Sequence, residues 1–239
     1  MNALINKHII AKHLGNIDYQ QAWDFQAQVF DTIVQHKIAN RTLPVEQQTI
    51  TSNYIFLCEH PHVYTLGKSG KEENLLQTPA VLASEGISFV HINRGGDITY
   101  HGPGQLVAYP VMDMDNFFTD IHRYMRLLEE SVIQTLAHFD LHAGRIAGLT
   151  GVWMDFVEQK NPRKIAAFGV KMSRWVTMHG LALNVNTDLK YFNNIIPCGI
   201  TDKAVTSMQQ ELGKTINMEE VEQIFLQKFE KIFEAQIET

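Results

Sequence analysis

Residues 164–185 read KIAAFGVKMSRWVTMHGLALNV, two apolar runs separated by a short polar break at Ser173 and Arg174. Apolar runs of this length, bounded by turn-forming residues, predict two β-strands at 164–172 and 175–185. The chain then continues to IPCGI at 196–200. The stretch therefore places a lysine at the start of one predicted strand and a cysteine on a turn beyond the other.

The elements around this stretch follow a mixed order, neither alternating strand and helix nor strands alone. Helices are predicted after Asp18, Asp120 and Asn217, because each of these capping residues precedes apolar residues at helical spacing. This order predicts an α+β fold, a mixed β-sheet flanked by helices that lie on one side of it. A chain of 239 residues, 45% hydrophobic, fits one domain over residues 1–239. Further strands are predicted at 9–14, 53–58, 62–66, 87–93, 143–147 and 151–156.

The charge balance and the two cysteines narrow the class of protein. A net charge of −6 argues against a nucleic-acid partner, which needs clustered lysine and arginine. No apolar run approaches the ~20 residues of a membrane span, so no membrane association is expected. Cys58 lies in the apolar run NYIFLCEH and is predicted to be inert core, unlike Cys198 in its turn. Unpaired cysteines and the lack of a signal peptide predict a reducing, cytoplasmic location.

Cys198 is the first candidate for chemistry, because Pro197 fixes the backbone before it and Gly199 allows a sharp bend after it. A free thiol is only a few per cent thiolate near neutral pH, so a nucleophilic thiol needs a cation close by. Lys164 is the candidate cation. From these two residues alone a plainer interpretation stays open, in which Lys164 is a solvated strand end and Cys198 a small core residue.

Residues 94–111, RGGDITYHGPGQLVAYPV, form the second candidate region. Its glycines let the backbone come close to a ligand, and their N–H groups could point at a carbonyl or carboxylate. The region lacks both nucleotide-binding patterns, GxGxxG and GxxxxGK[ST], so it is not a phosphate loop. A β-hairpin and a binding loop are both compatible with it.

Three histidines occupy related positions, since His101 and His179 each precede a glycine and His60 precedes a proline. Each could be a structural residue, held by hydrogen bonds in the wall of a site, or could orient a substrate. No metal site is expected. His138 and His142 have i, i+4 spacing, but they straddle a predicted helix end and no third ligand accompanies them.

The motifs that carry a resemblance run along nearly the whole chain. They are EHPHVYTLGK at 59–68, RGGDITYHGPGQLVAYP at 94–110, GVW at 151–153, KIAAFGVK at 164–171, HGLALNVN at 179–186 and IPCGI at 196–200. In this order they resemble the octanoyltransferase family of protein lipoylation, the lipoyl(octanoyl) transferases. The combination of RGGxxTYHGPGQ with PCG is highly specific, and no diagnostic position departs from it.

The resemblance implies an enzyme that moves an octanoyl group from octanoyl-acyl carrier protein to a lysine of a lipoyl domain, the first step of lipoate cofactor assembly. Cys198 would carry the acyl group as a thioester, and Lys164 would activate that thiol and move protons. The acceptors would be lipoyl domains of 2-oxoacid dehydrogenase complexes and the glycine cleavage H protein, and no cofactor would be required. The implied fold is that of biotin and lipoate protein ligase catalytic domains.

The resemblance also assigns residues to the substrate site. Supporting roles would fall to His60 and His179. The substrate contacts would be Arg94, Gly95, Gly96, Asp97, Ile98, Thr99, Tyr100, His101, Ala167, Phe168, Gly169, Gly180, Leu181 and Ala182.

Two alternatives remain. An ATP-dependent lipoate-protein ligase, or an octanoyl amidotransferase, would share the fold and a pocket lysine, but a ligase activates its acid with ATP and needs no thiol. Cys198 therefore favours the transferase. From another class, the chain could be an inactive acyl-carrier-binding module, which would be recognised by whether a thiol reagent and the acyl carrier compete for it.

Overall fold

The fold is a large mixed sheet with a small second sheet beside it, seen in a computed structural model that describes residues 5–196 and 204–239. The α-helices are α1 (Tyr19–Asn40), α2 (Pro79–Ser84), α3 (Ile121–His138), α4 (Met208–Leu212) and α5 (Met218–Phe233). The strands are β1 (His8–Asn16), β2 (Asn53–Glu59), β3 (Val63–Leu66), β4 (Ser88–His91), β5 (Ile98–His101), β6 (Gln105–Val111), β7 (Ala143–Ile146), β8 (Leu149–Met154), β9 (Arg163–Ser173), β10 (Val176–Asn184), β11 (Ala204–Val205) and β12 (Gln236–Glu238).

The large sheet has the order β12-β1-β2-β6-β10-β9-β8-β7, and β11 pairs with β9. Strands β1 and β2 run parallel because α1 crosses over between them, whereas β6, β10, β9 and β8 follow one another antiparallel. The small sheet has the order β4-β3-β5. The mixed sheet predicted from the sequence is therefore confirmed.

Helices cover both faces of the large sheet, so the predicted placement on one side is wrong. Leu181 and Leu183 belong to the core formed with α3 and α5, whereas Ala182 between them belongs to the core formed with α1. Successive side chains of a strand point to opposite faces, so both faces of β10 are covered. Every residue of β6 and β10 is buried as a result, and an unbroken apolar run is typical of such strands.

The predicted helix starts are confirmed by their capping hydrogen bonds. The Asp18 carboxylate accepts from the Gln20 N–H at 2.9 Å, and the Asp120 carboxylate accepts from the Arg123 N–H at 3.0 Å. The Asn217 side chain likewise caps α5. Such caps satisfy main-chain donors that lack a partner within the helix. Within the described part of the chain, none of the helices combines the length and hydropathy that a membrane span requires.

The hairpin considered for residues 94–111 does not form, because its two strands join different sheets. Strand β5 pairs with β3 in the small sheet, whereas β6 pairs with β2 and β10 in the large one. The turn between them carries the chain from one sheet to the other. Gly104 in this turn has a φ of +78°, and its N–H donates to the Glu59 carboxylate at 2.6 Å.

We expect Gly104→Ala to lower the free energy of unfolding by about 3 kcal/mol, through a strained φ and a main-chain clash. A Cβ on Gly104 would lie 2.6 Å from the carbonyl carbon and oxygen of Asn186. Gly15 is the matched control, since its φ is +65° and nothing lies within 4 Å of a Cβ there. Gly15→Ala should lower the free energy of unfolding by only about 1 kcal/mol, the cost of a left-handed backbone at an alanine. Equal midpoints in urea denaturation for the two variants would contradict the proposed clash.

Candidate functional site

A cavity of about 600 Å³ lies between the two sheets and the helices. Its walls come from β5 and the RGG segment before it, from β6, β8, β9 and β10, and from the first turns of α1 and α3. Its volume falls within the range of small-molecule sites, about 300–1,000 Å³. Most of the lining is apolar, with a few polar groups, as in a site for an apolar chain that carries a polar end.

Most residues that the resemblance assigned to the substrate line this cavity. Lys164 and His179 also line it. The assigned residues in its wall are Arg94, Gly95, Gly96, Asp97, Ile98, Thr99, His101, Ala167, Phe168, Gly169, Gly180, Leu181 and Ala182.

Tyr100 and His60 do not line the cavity. The Tyr100 hydroxyl lies 2.7 Å from Nδ1 of His62, and its ring is stacked on Tyr191. His60 is buried, with Nδ1 2.7 Å from the carbonyl oxygen of Ile17 and Nε2 2.7 Å from the Tyr109 hydroxyl. Tyr100 therefore belongs to the aromatic packing of the small sheet, and His60 supports a tyrosine of the cavity wall.

Lys164 lies near the start of β9, at a point where three strands meet. Its Nζ lies 4.7 Å from the centre of the Trp153 ring, a cation–π contact. The main-chain oxygen of Lys164 accepts a hydrogen bond from the Thr206 N–H at 2.9 Å. Val205 of β11 is the residue paired with Lys164 of β9. A Cβ on Gly151 would lie 3.2 Å from its Cε, so the glycine gives the lysine stem room. The ammonium group is thus held at an aromatic wall of the cavity.

Cys198 lies outside the described residues, together with Pro197 and Gly199. The chain on both sides of them is described. Phe192, before the cysteine, and Val205, after it, both line the cavity. The two segments that lead into and out of the IPCGI motif therefore border the same space as Lys164.

Comparison with known proteins gives a consistent answer. The family model of the lipoyl protein ligase A/B catalytic domain matches residues 18–230. An octanoyltransferase of Cytophaga hutchinsonii is 56% identical over 238 residues, covering 100% of this chain and 98% of the relative. An octanoyltransferase of Christiangramia forsetii is 56% identical over 234 residues, covering 98% and 99%. The chain belongs to the octanoyltransferase family. It is an acyltransferase of protein lipoylation, as its motifs predicted.

Solved structures confirm the fold expected for this family. A bi-partite lipoate protein ligase of Thermoplasma acidophilum superposes with a TM-score of 0.63 at 16% identity, covering 99% of this chain and 88% of the other. A biotin protein ligase of Aquifex aeolicus, solved with biotin and ATP, gives 0.50 at 14% identity, covering 95% and 70%. At such identities the likeness concerns the fold alone.

Arg94 fixes the RGG segment of this octanoyltransferase family member against both sheets. One guanidinium nitrogen donates to the main-chain and side-chain oxygens of Thr65, each at 3.0 Å, and the other donates to the Gly95 oxygen at 3.1 Å. The Gly95 N–H donates to Val170 of β9 at 3.0 Å. A Cβ on Gly169 would lie 2.8 Å from Cδ of Arg94, so the glycine permits this close approach.

The two cavity histidines are neutral at physiological pH. Burial, with a smaller contribution from the neighbouring His60, lowers the pKa of His101 to about 3. Burial also lowers the pKa of His179 to about 3, with Arg94 as the next cause. His179 has a left-handed backbone with a φ of 62°, and Gln26 of α1 accepts from its N–H at 3.1 Å. Neither ring can supply a cation for a thiolate, which leaves Lys164 and Arg94 as the cations among the described residues of the wall.

Cys58 is 2% exposed within β2, as expected for core. Burial raises the pKa of its thiol well above the usual range, which disfavours a thiolate. In the described part of the chain, no three His, Cys, Asp or Glu side chains come together as a metal site. Sequence reasoning missed the cation–π partner Trp153 and the buried amides Gln105 and Asn184, because these follow only from strand pairing.

Proposed function

We propose that the octanoyl donor is octanoyl-acyl carrier protein, that Cys198 carries the octanoyl group as a thioester, and that the acceptor is a lysine of a lipoyl domain. The observation that carries the proposal is the cavity. It combines apolar walls with Lys164 and with the segments on both sides of Cys198. Relatives named octanoyltransferase over the whole chain support the choice of acyl group.

In the first step the Cys198 thiolate attacks the carbonyl carbon of the donor thioester. A new carbon–sulfur bond forms, the old one breaks, and the carrier sulfur leaves as a thiolate, which would take a proton from the Lys164 ammonium and leave Lys164 neutral. Exchange of one thioester for another is nearly balanced, so the step needs activation and positioning and no energy source. The Lys164 ammonium would favour the attacking thiolate.

In the second step the amine of the acceptor lysine attacks the Cys198 thioester. A carbon–nitrogen bond forms, the carbon–sulfur bond breaks, and the product is an amide. Lys164, when neutral, would take the proton from the attacking nitrogen. Main-chain N–H groups at Gly169 and Gly180, which border the cavity, or at Gly199 are candidates to stabilise the oxyanion.

The proposed acceptors are lipoyl domains of 2-oxoacid dehydrogenase complexes and the glycine cleavage H protein. The archaeal ligase of similar fold was described together with its E2 lipoyl domain, which supports an acceptor of this kind. We also propose that residues 1–239 form one catalytic domain, because one core cluster contains both Ile9 of β1 and Phe233 of α5. The cytoplasmic location stays a prediction.

Octanoyl transfer should proceed without ATP, because the donor thioester already carries an activated acyl group. Purified enzyme, octanoyl-acyl carrier protein and an unmodified H protein would be incubated with and without ATP, and intact mass spectrometry would follow the acceptor. We expect the same rate of octanoylation in both. Transfer that requires ATP and accepts free octanoate would instead assign the ligase activity.

A further inference from the structure

The buried amide side chains of Gln105 and Asn184 form a chain of hydrogen bonds that begins at His101. The His101 Nδ1 lies 2.7 Å from Oε1 of Gln105, and Gln105 Nε2 donates to Oδ1 of Asn184 at 2.9 Å. Asn184 Nδ2 in turn donates to the Thr206 main-chain oxygen at 2.9 Å. Gln105 and Asn184 are opposite each other in the pairing of β6 with β10, so their side chains share one face of the sheet.

The orientation of both amides is fixed by main-chain carbonyls, which can only accept hydrogen bonds. Thr206 accepts from Asn184, so the nitrogen of that amide faces Thr206 and its oxygen faces Gln105. The Tyr100 main-chain oxygen, 3.2 Å from Nε2 of Gln105, independently places the nitrogen of the second amide. The remaining oxygen of Gln105 then faces His101, and an oxygen there can only accept.

His101 must therefore carry its proton on Nδ1, which leaves a lone pair on Nε2. The groups around the ring favour the neutral form. Tyr19 of α1 stacks on it at 5.8 Å and His60 lies edge-on at 5.9 Å. Burial is the largest cause that lowers the pKa of His101, and His60, Arg94 and His179 lower it as well, while the hydrogen bond to Gln105 opposes them. His101 lines the cavity, and Nε2 is the ring nitrogen that the amides leave unprotonated.

We infer that Gln105 and Asn184 are positioning residues that hold His101 as its Nδ1–H tautomer, so that Nε2 accepts a hydrogen bond from an N–H group of the substrate. The inference rests on the proposed octanoyl transfer. An octanoyl thioester has no N–H of its own. The N–H groups that the reaction brings are the amides of the carrier's prosthetic arm and the amine of the acceptor lysine.

The same relay connects His101 with the strand of Lys164. Thr206, which accepts from Asn184, donates its own N–H to the Lys164 main-chain oxygen at 2.9 Å. Loss of the amide relay should therefore change the tautomer of His101 directly. It should affect the strand of Lys164 only indirectly, through Thr206.

The tautomer is measurable without activity, by nitrogen NMR of enzyme labelled at histidine, with His101→Gln used to assign the signal. In the unchanged enzyme we expect a protonated Nδ1 and an unprotonated Nε2 across about pH 5 to 8. In Gln105→Met the ring loses the acceptor of its Nδ1 proton, so the two tautomers should mix. Asn53→Leu is the matched control, because Asn53 of β2 is equally buried and lies outside the cavity wall. Its side chain donates to main-chain oxygens at 3.0 Å and accepts from the Asp113 N–H at 2.9 Å and from the Asn116 amide at 3.5 Å.

Kinetics identify the source of the N–H group. Gln105→Met should lower kcat/KM about tenfold, the effect of one lost hydrogen bond, with Asn53→Leu near the unchanged enzyme. If only the KM for the octanoyl carrier rises, the N–H group belongs to the prosthetic arm. If only the KM for the lipoyl domain rises, the N–H group is that of the lysine amine. His101→Gln, which keeps an acceptor oxygen, should retain more activity than His101→Leu.

Several results would overturn the inference. They are an Nε2–H tautomer in the unchanged enzyme, an identical tautomer in Gln105→Met, or equal losses of activity in Gln105→Met and Asn53→Leu. A Cys198 that takes no octanoyl group would refute the proposed thioester, yet the tautomer of His101 would still be measured, so the two failures are distinguishable.

Discussion

Cys198→Ser should transfer octanoyl at least about 10³-fold more slowly than the unchanged enzyme. A serine hydroxyl is far less acidic than a thiol, so a nearby ammonium cannot generate the nucleophile from it. Intact mass spectrometry after incubation with octanoyl-acyl carrier protein should show one added octanoyl group on the unchanged enzyme and none on Cys198→Ser. Peptide mapping should locate the group on Cys198.

Cys58→Ala is the control for this experiment. Its thiol is buried in β2 and lies 3.6 Å from Nε2 of His60, so its removal should leave the octanoyl adduct intact. An adduct on Cys58 or on another side chain, or a serine variant as fast as the unchanged enzyme, would refute the thioester on Cys198. The result would leave the family membership untouched, because that rests on sequence identity along the whole chain.

Lys164→Met should slow acylation of the enzyme by about 10²-fold. The ammonium favours the thiolate, so its removal should raise the pH at which iodoacetamide alkylates Cys198. Methionine keeps an apolar stem against Trp153, so the packing at this wall should survive. Stopped-flow acylation and the pH profile of alkylation measure the two effects separately.

Lys171→Met is the matched control. Lys171 lies on the same strand as Lys164 and places its Nζ 4.7 Å from the centre of the Phe30 ring, the same distance as Lys164 from Trp153. It does not line the cavity. The control should therefore keep the alkylation profile of the unchanged enzyme. If the two lysine variants gave the same profile, Lys164 would have no electrostatic role at Cys198.

Local signals in the sequence predicted the elements well. Capping residues placed the starts of three helices, because a side chain that accepts from main-chain N–H groups acts within a few residues. Apolar runs placed the central strands, because the apolar pattern of a strand is also a local property of the sequence. The motifs quoted from the sequence also contain most of the residues that line the cavity.

The sequence by itself thus determined the central strands, the caps of three helices and the choice of Cys198 and Lys164 as candidates for chemistry, but not the short strands β11 and β12. Only the tertiary structure decided that β5 and β6 join different sheets, that helices cover both faces, and that Tyr100 and His60 lie outside the cavity wall. Those features depend on which distant strands pair. The hydrogen bonds that select a partner strand are main-chain bonds common to all residues, so local periodicity does not record the choice.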